Sequence, residues 1–285
     1  MKIINDVKIL IVGLGLIGGS YAQALTDLGY EVGAITRSQS SIDYAIEKGL
    51  IAHGTTEVSR EYVQSFDIVV FALYPKVFVE WLEKYQGYFK PGALLTDVTG
   101  VKGAIVYQIQ DMLRPDVEFV AAHPMAGREV YGVQNADKSI FRNANYIVTP
   151  TKKNTREAIE ECKSLGKVLG FKTIAELSPE EHDEMIGFLS QLTHCIAVSL
   201  MTCKDSEHLV DYTGDSFRDL TRIAKINEDM WCELFLMNKK ELLAQMDLFI
   251  DKFTELKSSI ESSDTERIKS IMRTSTKRRE FFDKK

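Results

Sequence analysis

Residues Ile9 to Ser20 read ILIVGLGLIGGS: four apolar residues, then four glycines within seven positions. A short apolar run bounded by glycine reads as a buried strand, and glycine this dense marks a backbone path that side chains would obstruct. Gly13, Gly15 and Gly18 form G-x-G-x-x-G between that strand and a helix-forming stretch. In this setting Gly13 permits a tight turn, Gly15 clears the approach of a pyrophosphate, and Gly18 lets helix and strand pack closely. The N–H groups at the helix start, around Leu16 and Ile17, then face phosphate with the favourable end of the helix dipole. The alternative reading is a glycine-rich turn with no ligand.

From Val7 to about Leu177 short apolar runs alternate with helical patterns, which is the mark of βαβ units and a parallel sheet. The predicted strands are VKILIV, EVGAIT, FDIVVFAL, ALLTDV, VEFVAA, NYIVTP and KTIAEL, and the helices between them include SSIDYAIEKG, PKVFVEWLEKYQGYF, VKGAIVYQIQDML and NTREAIEECKSLGKVLG. After LSPEEHDEM only helical periodicity remains, beginning with a long apolar helix from about Pro179 to Met201. The expected fold is therefore an α/β Rossmann-type doubly wound sheet over residues 1–176, followed by an all-helical dimerisation domain over 177–285. The segment EDMWCELFLMNKKELLAQMDLFIDKFTEL is apolar over more of its circumference than one packing face needs, which predicts helices packed between two subunits. The tail TSTKRREFFDKK reads as a solvated end.

The second strand bears on the choice of dinucleotide. An NAD site usually ends this strand with a carboxylate that holds the ribose 2′-hydroxyl. Here Thr36 and Arg37 occupy the place, and a guanidinium with neighbouring hydroxyls suits a 2′-phosphate. The expectation leans to NADP over NAD, against the plain reading of an exposed loop arginine.

The chain has 285 residues, 45% hydrophobic and 27% charged, with a formal net charge of -6. That balance is globular, and its sign argues against nonspecific nucleic-acid binding. Four cysteines without CxxC or metal-ligand spacing read as reduced, mostly buried thiols and no metal site. The start MKIINDVK lacks a signal-peptide core, and no apolar run is expected to approach the ~20 residues of a membrane span, so the sequence reads as cytoplasmic with no membrane partner.

Two of the five histidines stand out. His123 follows VEFVAA and opens HPMAGRE, at the carboxyl edge of the sheet where open α/β sheets bind ligands. His194 lies inside an apolar helix, where an imidazole needs a partner or a pocket; periodicity alone favours a satisfied core histidine. At this point the chain resembles a known family. GLGLIGGS, DVTGVKGA at 97–104, HPMAGRE at 123–129, SIFRNANYIVTP at 139–150, HDEMIGFLSQLTH at 182–194 and DLTRIAKINEDMWCELFLMNKKELL at 219–243 are similar, in order and spacing, to the prephenate/arogenate dehydrogenases of tyrosine biosynthesis.

The resemblance implies hydride transfer from prephenate to NAD(P) with loss of carbon dioxide, in a homodimer whose active site lies between the nucleotide-binding and helical halves. It implies that His123 contacts the ring hydroxyl, that His194 lines the substrate pocket and that Arg222 binds a substrate carboxylate. A neutral imidazole is suited to draw a hydroxyl proton as hydride leaves the same carbon. The plain alternative for Arg222 is an intrahelical pair with Asp219. Two departures matter. Relatives commonly carry Gly-Ser where this chain has Thr99 and Gly100, which makes Thr99 the candidate replacement for the lost hydroxyl. Arg128 replaces a small hydroxyl residue and either serves a carboxylate or faces solvent, so prephenate and arogenate both remain open as substrate. Competing readings are a 3-hydroxyacid or imine-reducing dehydrogenase, which would want a lysine that the stretch from Pro179 to Thr202 lacks, and a non-catalytic NADP-sensing regulator in which His123 is dispensable.

Overall fold

The computed structural model describes residues 7–282. Residues 1–6 of the leader reading and the last three of the tail lie outside the described residues. Strands β1 (Lys8–Val12), β2 (Glu31–Ile35), β3 (His53–Thr55), β4 (Ile68–Phe71), β5 (Leu94–Asp97) and β6 (Glu118–Phe119) form one parallel sheet in the order β3-β2-β1-β4-β5-β6. Helices α1 (Leu16–Thr26), α2 (Gln39–Glu47), α3 (Arg60–Val63), α4 (Pro75–Tyr85) and α5 (Val106–Met112) make the crossovers. Side chains of β1 alternate between two cores: Ile9 and Ile11 pack with Tyr21 and Leu25, while Leu10 and Val12 pack with Phe78 and Leu82. Burial on both faces is why the strand reads as an unbroken apolar run. Strand order reverses between β1 and β4, so their carboxyl ends open the crevice in which such sheets bind ligands.

The expectation of a single parallel sheet needs correction. VEFVAA divides at Val120: β6 stays with β5, whereas β7 (Ala121–Pro124) pairs antiparallel with β8 (Asn145–Thr149), which pairs in parallel with β9 (Thr173–Glu176) after α6 (Arg156–Val168). The short β3 has no apolar run to announce it. The helix expected from Val101 starts only at Val106, because residues 102 and 103 give their backbone N–H groups to Asp183 rather than to a helix.

The strand-free half begins with α7 (Pro179–Ile186), continues through a π-turn at Gly187–Gln191 into α8 (Leu192–Thr202), and adds α9 (Asp215–Thr221) and α10 (Glu228–Met237). Ser178 and Glu181 close a capping box that fixes where α7 starts. Two compact units divide between Asn238 and Lys239. The second contains α11 (Lys239–Glu261) and α12 (Thr265–Arg279), so much of the tail is helical. Along α11, Leu248, Phe249, Ile250 and Phe253 are exposed.

Two further expectations change. The continuous helix Pro179–Thr202 is 24 residues long with a mean hydropathy of 1.4, enough by length and composition to cross a bilayer. Its buried His182, Asp183 and Gln191 are hydrogen-bonded to other parts of the first unit, a polar role for which lipid supplies no partners. The cysteines are less buried than expected: Cys162 is buried and Cys195 half-buried, but Cys203 and Cys232 are exposed.

Candidate active site

At the crevice, the three motif glycines divide into two kinds. Gly13 has φ +103°, and a Cβ there would lie 2.4 Å from the Ala72 carbonyl oxygen; a Cβ on Gly18 would lie 2.0 Å from that of Gly13. Both positions exclude side chains for the sake of the fold itself. A Cβ on Gly15 would meet nothing within 4 Å, so the protein leaves that space clear. Gly15 caps α1 without a side-chain acceptor, so the first-turn N–H groups around Leu16 and Ile17 have no cap from that residue. This cradle fits a dinucleotide pyrophosphate. Next to it Arg37 is exposed and forms no ion pair among the described residues, Thr36 is half-buried, and Ser38 caps α2.

His123 projects from β7, and its Nδ1 lies 2.9 Å from His182 Nε2. His182 Nδ1 in turn lies 2.8 Å from Asp183 Oδ1. The carboxylate can only accept, so His182 carries its proton on Nδ1 and leaves Nε2 as an acceptor. His123 must then donate from Nδ1, which leaves its Nε2 lone pair free, with no partner among the described residues. Asp183 is held by the N–H groups of Lys102 at 2.8 Å and Gly103 at 2.7 Å, and its carbonyl accepts from Asn238 Nδ2 at 2.9 Å. Burial, with His182 and the Lys102 ammonium nearby, holds His123 well below the usual 6.5. Burial also lowers His182, although Asp183 opposes it. The neutral imidazole is therefore the resting form at neutral pH.

A second group gathers around Arg222, whose guanidinium donates to Glu129 Oε1 at 2.7 Å. Arg222 thus pairs across 93 residues and not with Asp219 on its own helix. His194 gives its Nδ1 hydrogen to Ser190 O at 2.8 Å, and its ring lies 3.7 Å from that of Trp231. It is half-buried, and burial lowers its pKa despite Glu129 close by. Leu234, one turn along α10 from Trp231, reaches the position where a Gly100 Cβ would sit, 3.6 Å away, with His123 Cε1 at 3.9 Å. One face of α10 thereby borders both groups.

Two expected substrate contacts turn elsewhere. Thr99 is buried, and its hydroxyl is engaged with Asp97, the Val101 carbonyl and Lys102 Nζ. The residue beside His123 is Gly100. Arg128 donates to Asp137 Oδ2 at 2.5 Å on the surface.

The chain's similarities to known proteins agree with this geometry. The family model described as "Prephenate dehydrogenase, nucleotide-binding domain" matches residues 21–175, and "Prephenate dehydrogenase, dimerization domain" matches 178–274. The Bacillus subtilis prephenate dehydrogenase is 31% identical over 273 residues, covering 93% of this chain and 73% of the relative. The chain belongs to the prephenate dehydrogenase family. The A. aeolicus prephenate dehydrogenase, solved with hydroxyphenyl propionate and NAD+, superposes with a TM-score of 0.88 at 31% identity, covering 97% of this chain and 98% of that one. Synechocystis arogenate dehydrogenase superposes at 0.84 with 25% identity, covering 97% and 100%. The chain is thus an oxidoreductase with a nicotinamide-nucleotide domain, and its helical half is the family's dimerization domain.

Within this family member, sequence reasoning missed His182, Asp183, Glu129 and Trp231. The adjacent pair His182–Asp183 follows a capping box and falls in an apolar helix, a placement that signals buried partners. Glu129 carried no local signal, because its partner is remote in sequence.

Proposed function

We propose that the chain is a prephenate dehydrogenase, acting as a cytoplasmic homodimer, that converts prephenate to 4-hydroxyphenylpyruvate and carbon dioxide and prefers NADP. The observation that carries this reading is the Asp183–His182–His123 series, which fixes the tautomer and leaves one imidazole nitrogen free. A nicotinamide bound here would supply the acceptor for the hydride that leaves the hydroxyl-bearing ring carbon. Gly15 and the start of α1 would hold its pyrophosphate, and Arg37 with Thr36 and Ser38 would meet a 2′-phosphate.

His123 Nε2 draws the hydroxyl proton as positive character develops on that carbon. Loss of the ring carboxylate as carbon dioxide returns an electron pair to a ring that becomes aromatic, and His123 gives the proton back to the phenol oxygen. No net proton is released, so His123 needs only to take the proton and return it. Arg222 grips a substrate carboxylate by displacing Glu129, with His194 and Trp231 beside it. Positioning supplies most of the rate.

The test pairs prephenate or arogenate with NAD or NADP and follows reduced-cofactor absorbance. Prephenate with NADP is expected to give the highest kcat/KM, and Arg37→Ala is expected to raise KM for NADP about tenfold while sparing NAD. Absence of reduction in all four pairings would return the chain to the regulator reading.

A further inference from the structure

We propose that the buried Asp97–Lys102 pair is a positioning device for His123, holding the residue at its backbone and, through Asp183 and His182, at its ring. The inference rests on the reading of His123 as the proton acceptor.

The geometry begins where the two sheets part. β6 pairs with β5 only through Leu94–Glu118 and Leu95–Phe119, after which the chain leaves to build β7 against β8. Successive peptides of a strand face opposite edges, so Ala122 turns its N–H and C=O away from β8 and back toward β5. No strand meets them there. Asp97, the last residue of β5, accepts the Ala122 N–H on Oδ1 at 3.0 Å, and Lys102 Nζ donates to the Ala122 carbonyl at 2.6 Å. The N–H and C=O of the residue immediately before His123 are thus both held by one ion pair, itself closed at 2.7 Å.

Lys102 reaches His123 a second way. Its backbone N–H holds Asp183 Oδ1, the same oxygen that accepts from His182 Nδ1, and His182 accepts from His123. One residue therefore sets both where the His123 backbone lies and which nitrogen its ring presents. The ammonium is saturated by Asp97, the Ala122 carbonyl and Thr99 Oγ1 at 3.2 Å, which gives Thr99 its role. Both charged side chains are fully buried. A buried ion pair is poor value for stability, since apolar residues of similar volume often do as well. Its retention next to a reacting group is what a positional function explains.

The charged and titratable groups around His123 are His182 and Lys102, with Asp183 behind His182 and Asp97 behind Lys102; from α10 the neighbour is the apolar Leu234. Lys102 opposes a positive charge on either imidazole, adding to the burial that keeps the base unprotonated.

The test compares Lys102→Met and the charge-neutral double variant Asp97→Asn/Lys102→Met with the unaltered protein. Nucleotide Kd is expected to stay within threefold in both. Turnover of prephenate is expected to fall about a hundredfold, the scale of a small misplacement of a reacting group. In Lys102→Met the acid limb of kcat/KM is expected to move to higher pH, because a cation that disfavours imidazolium is gone; a purely structural role would leave that limb in place. In the unaltered protein, imidazole ¹⁵N NMR is expected to show His123 neutral, protonated on Nδ1, and titrating below an ordinary histidine. A folded variant with wild-type turnover and acid limb overturns the proposal. So does a His123 ring that titrates normally or carries its neutral proton on Nε2, which decides the matter even if neither variant folds. Inertness of the unaltered enzyme toward prephenate would instead fail the reaction assignment and leave the NMR result to judge the clamp.

Discussion

His123 and Arg222 are assigned to the same substrate but are built in opposite ways. The pair that clamps the His123 backbone is wholly inaccessible, and the polar groups of Asp97, Lys102 and Asp183 find partners inside the protein, while His123 Nε2 is left without one among the described residues. Arg222 and Glu129 remain 65% and 41% exposed, joined by one surface ion pair. The difference follows from what each must do. A group that moves a proton needs one tautomer and one position, which only a dry, saturated network enforces. A group that grips an arriving carboxylate needs a charge that is kept occupied yet can be released cheaply, and an exposed pair worth about 0–1 kcal/mol supplies that.

The strongest way to break the comparison is His123→Asn. It keeps the Nδ1-side hydrogen bond to His182 within reach but removes the basic nitrogen, so kcat is expected to fall by about 10³-fold, within the range for a lost general base, with nucleotide Kd unchanged. Steady-state kinetics alongside a binding titration checks both halves. Equal turnover would move the base elsewhere. Arg222→Gln comes next: KM for prephenate is expected to rise about 10- to 100-fold, the worth of a charge-assisted hydrogen bond, with a smaller change in kcat. Because Arg222 is exposed, its thermal unfolding is expected to match that of the parent protein.

This asymmetry also explains what the sequence made legible. The glycine turn could be read because its demands are local: Gly13 and Gly18 answer to atoms of the same turn and of the neighbouring Ala72. His123 could be read because a strand end marks a sheet edge. His182 and Asp183 act on His123 and Lys102 across 59 and 81 residues, and Glu129 meets Arg222 across 93, distances over which periodicity carries nothing. Thr99 looked like a spare hydroxyl beside the substrate until the buried Lys102 gave it a partner. The division of VEFVAA into two sheets was hidden for a related reason, since its alternation is the same whether the next neighbour is β5 or β8.

A pH series sharpens the buried side. His123, His182 and His194 all sit below their ordinary value in the folded protein, so in the window below 6.5 the unfolded chain binds more protons than the folded one. Stability is therefore present in full above pH 6.5 and falls as pH drops through that window, each histidine contributing at most about 1.4 kcal/mol per pH unit. Denaturant unfolding between pH 7.5 and about 5 measures the slope. A flat profile would mean that the imidazoles are less enclosed than the structure has them.

The smallest expected effect probes the exposed side alone. Glu129→Gln leaves Arg222 its hydrogen-bonding neighbour but removes the competing charge, so KM for prephenate is expected to fall no more than about threefold, the scale of one surface pair. Salt discriminates better than the change itself. In the parent enzyme, added salt weakens two screened interactions with opposite consequences, Arg222 with Glu129 and Arg222 with the substrate carboxylate, and their effects on KM partly cancel. In the variant only the second remains, so KM is expected to climb more steeply between low and physiological ionic strength. A parent and a variant with identical salt slopes would show that Glu129 does not compete for the guanidinium. The contrast between a fixed proton site and an exchangeable charge site would then rest on burial alone.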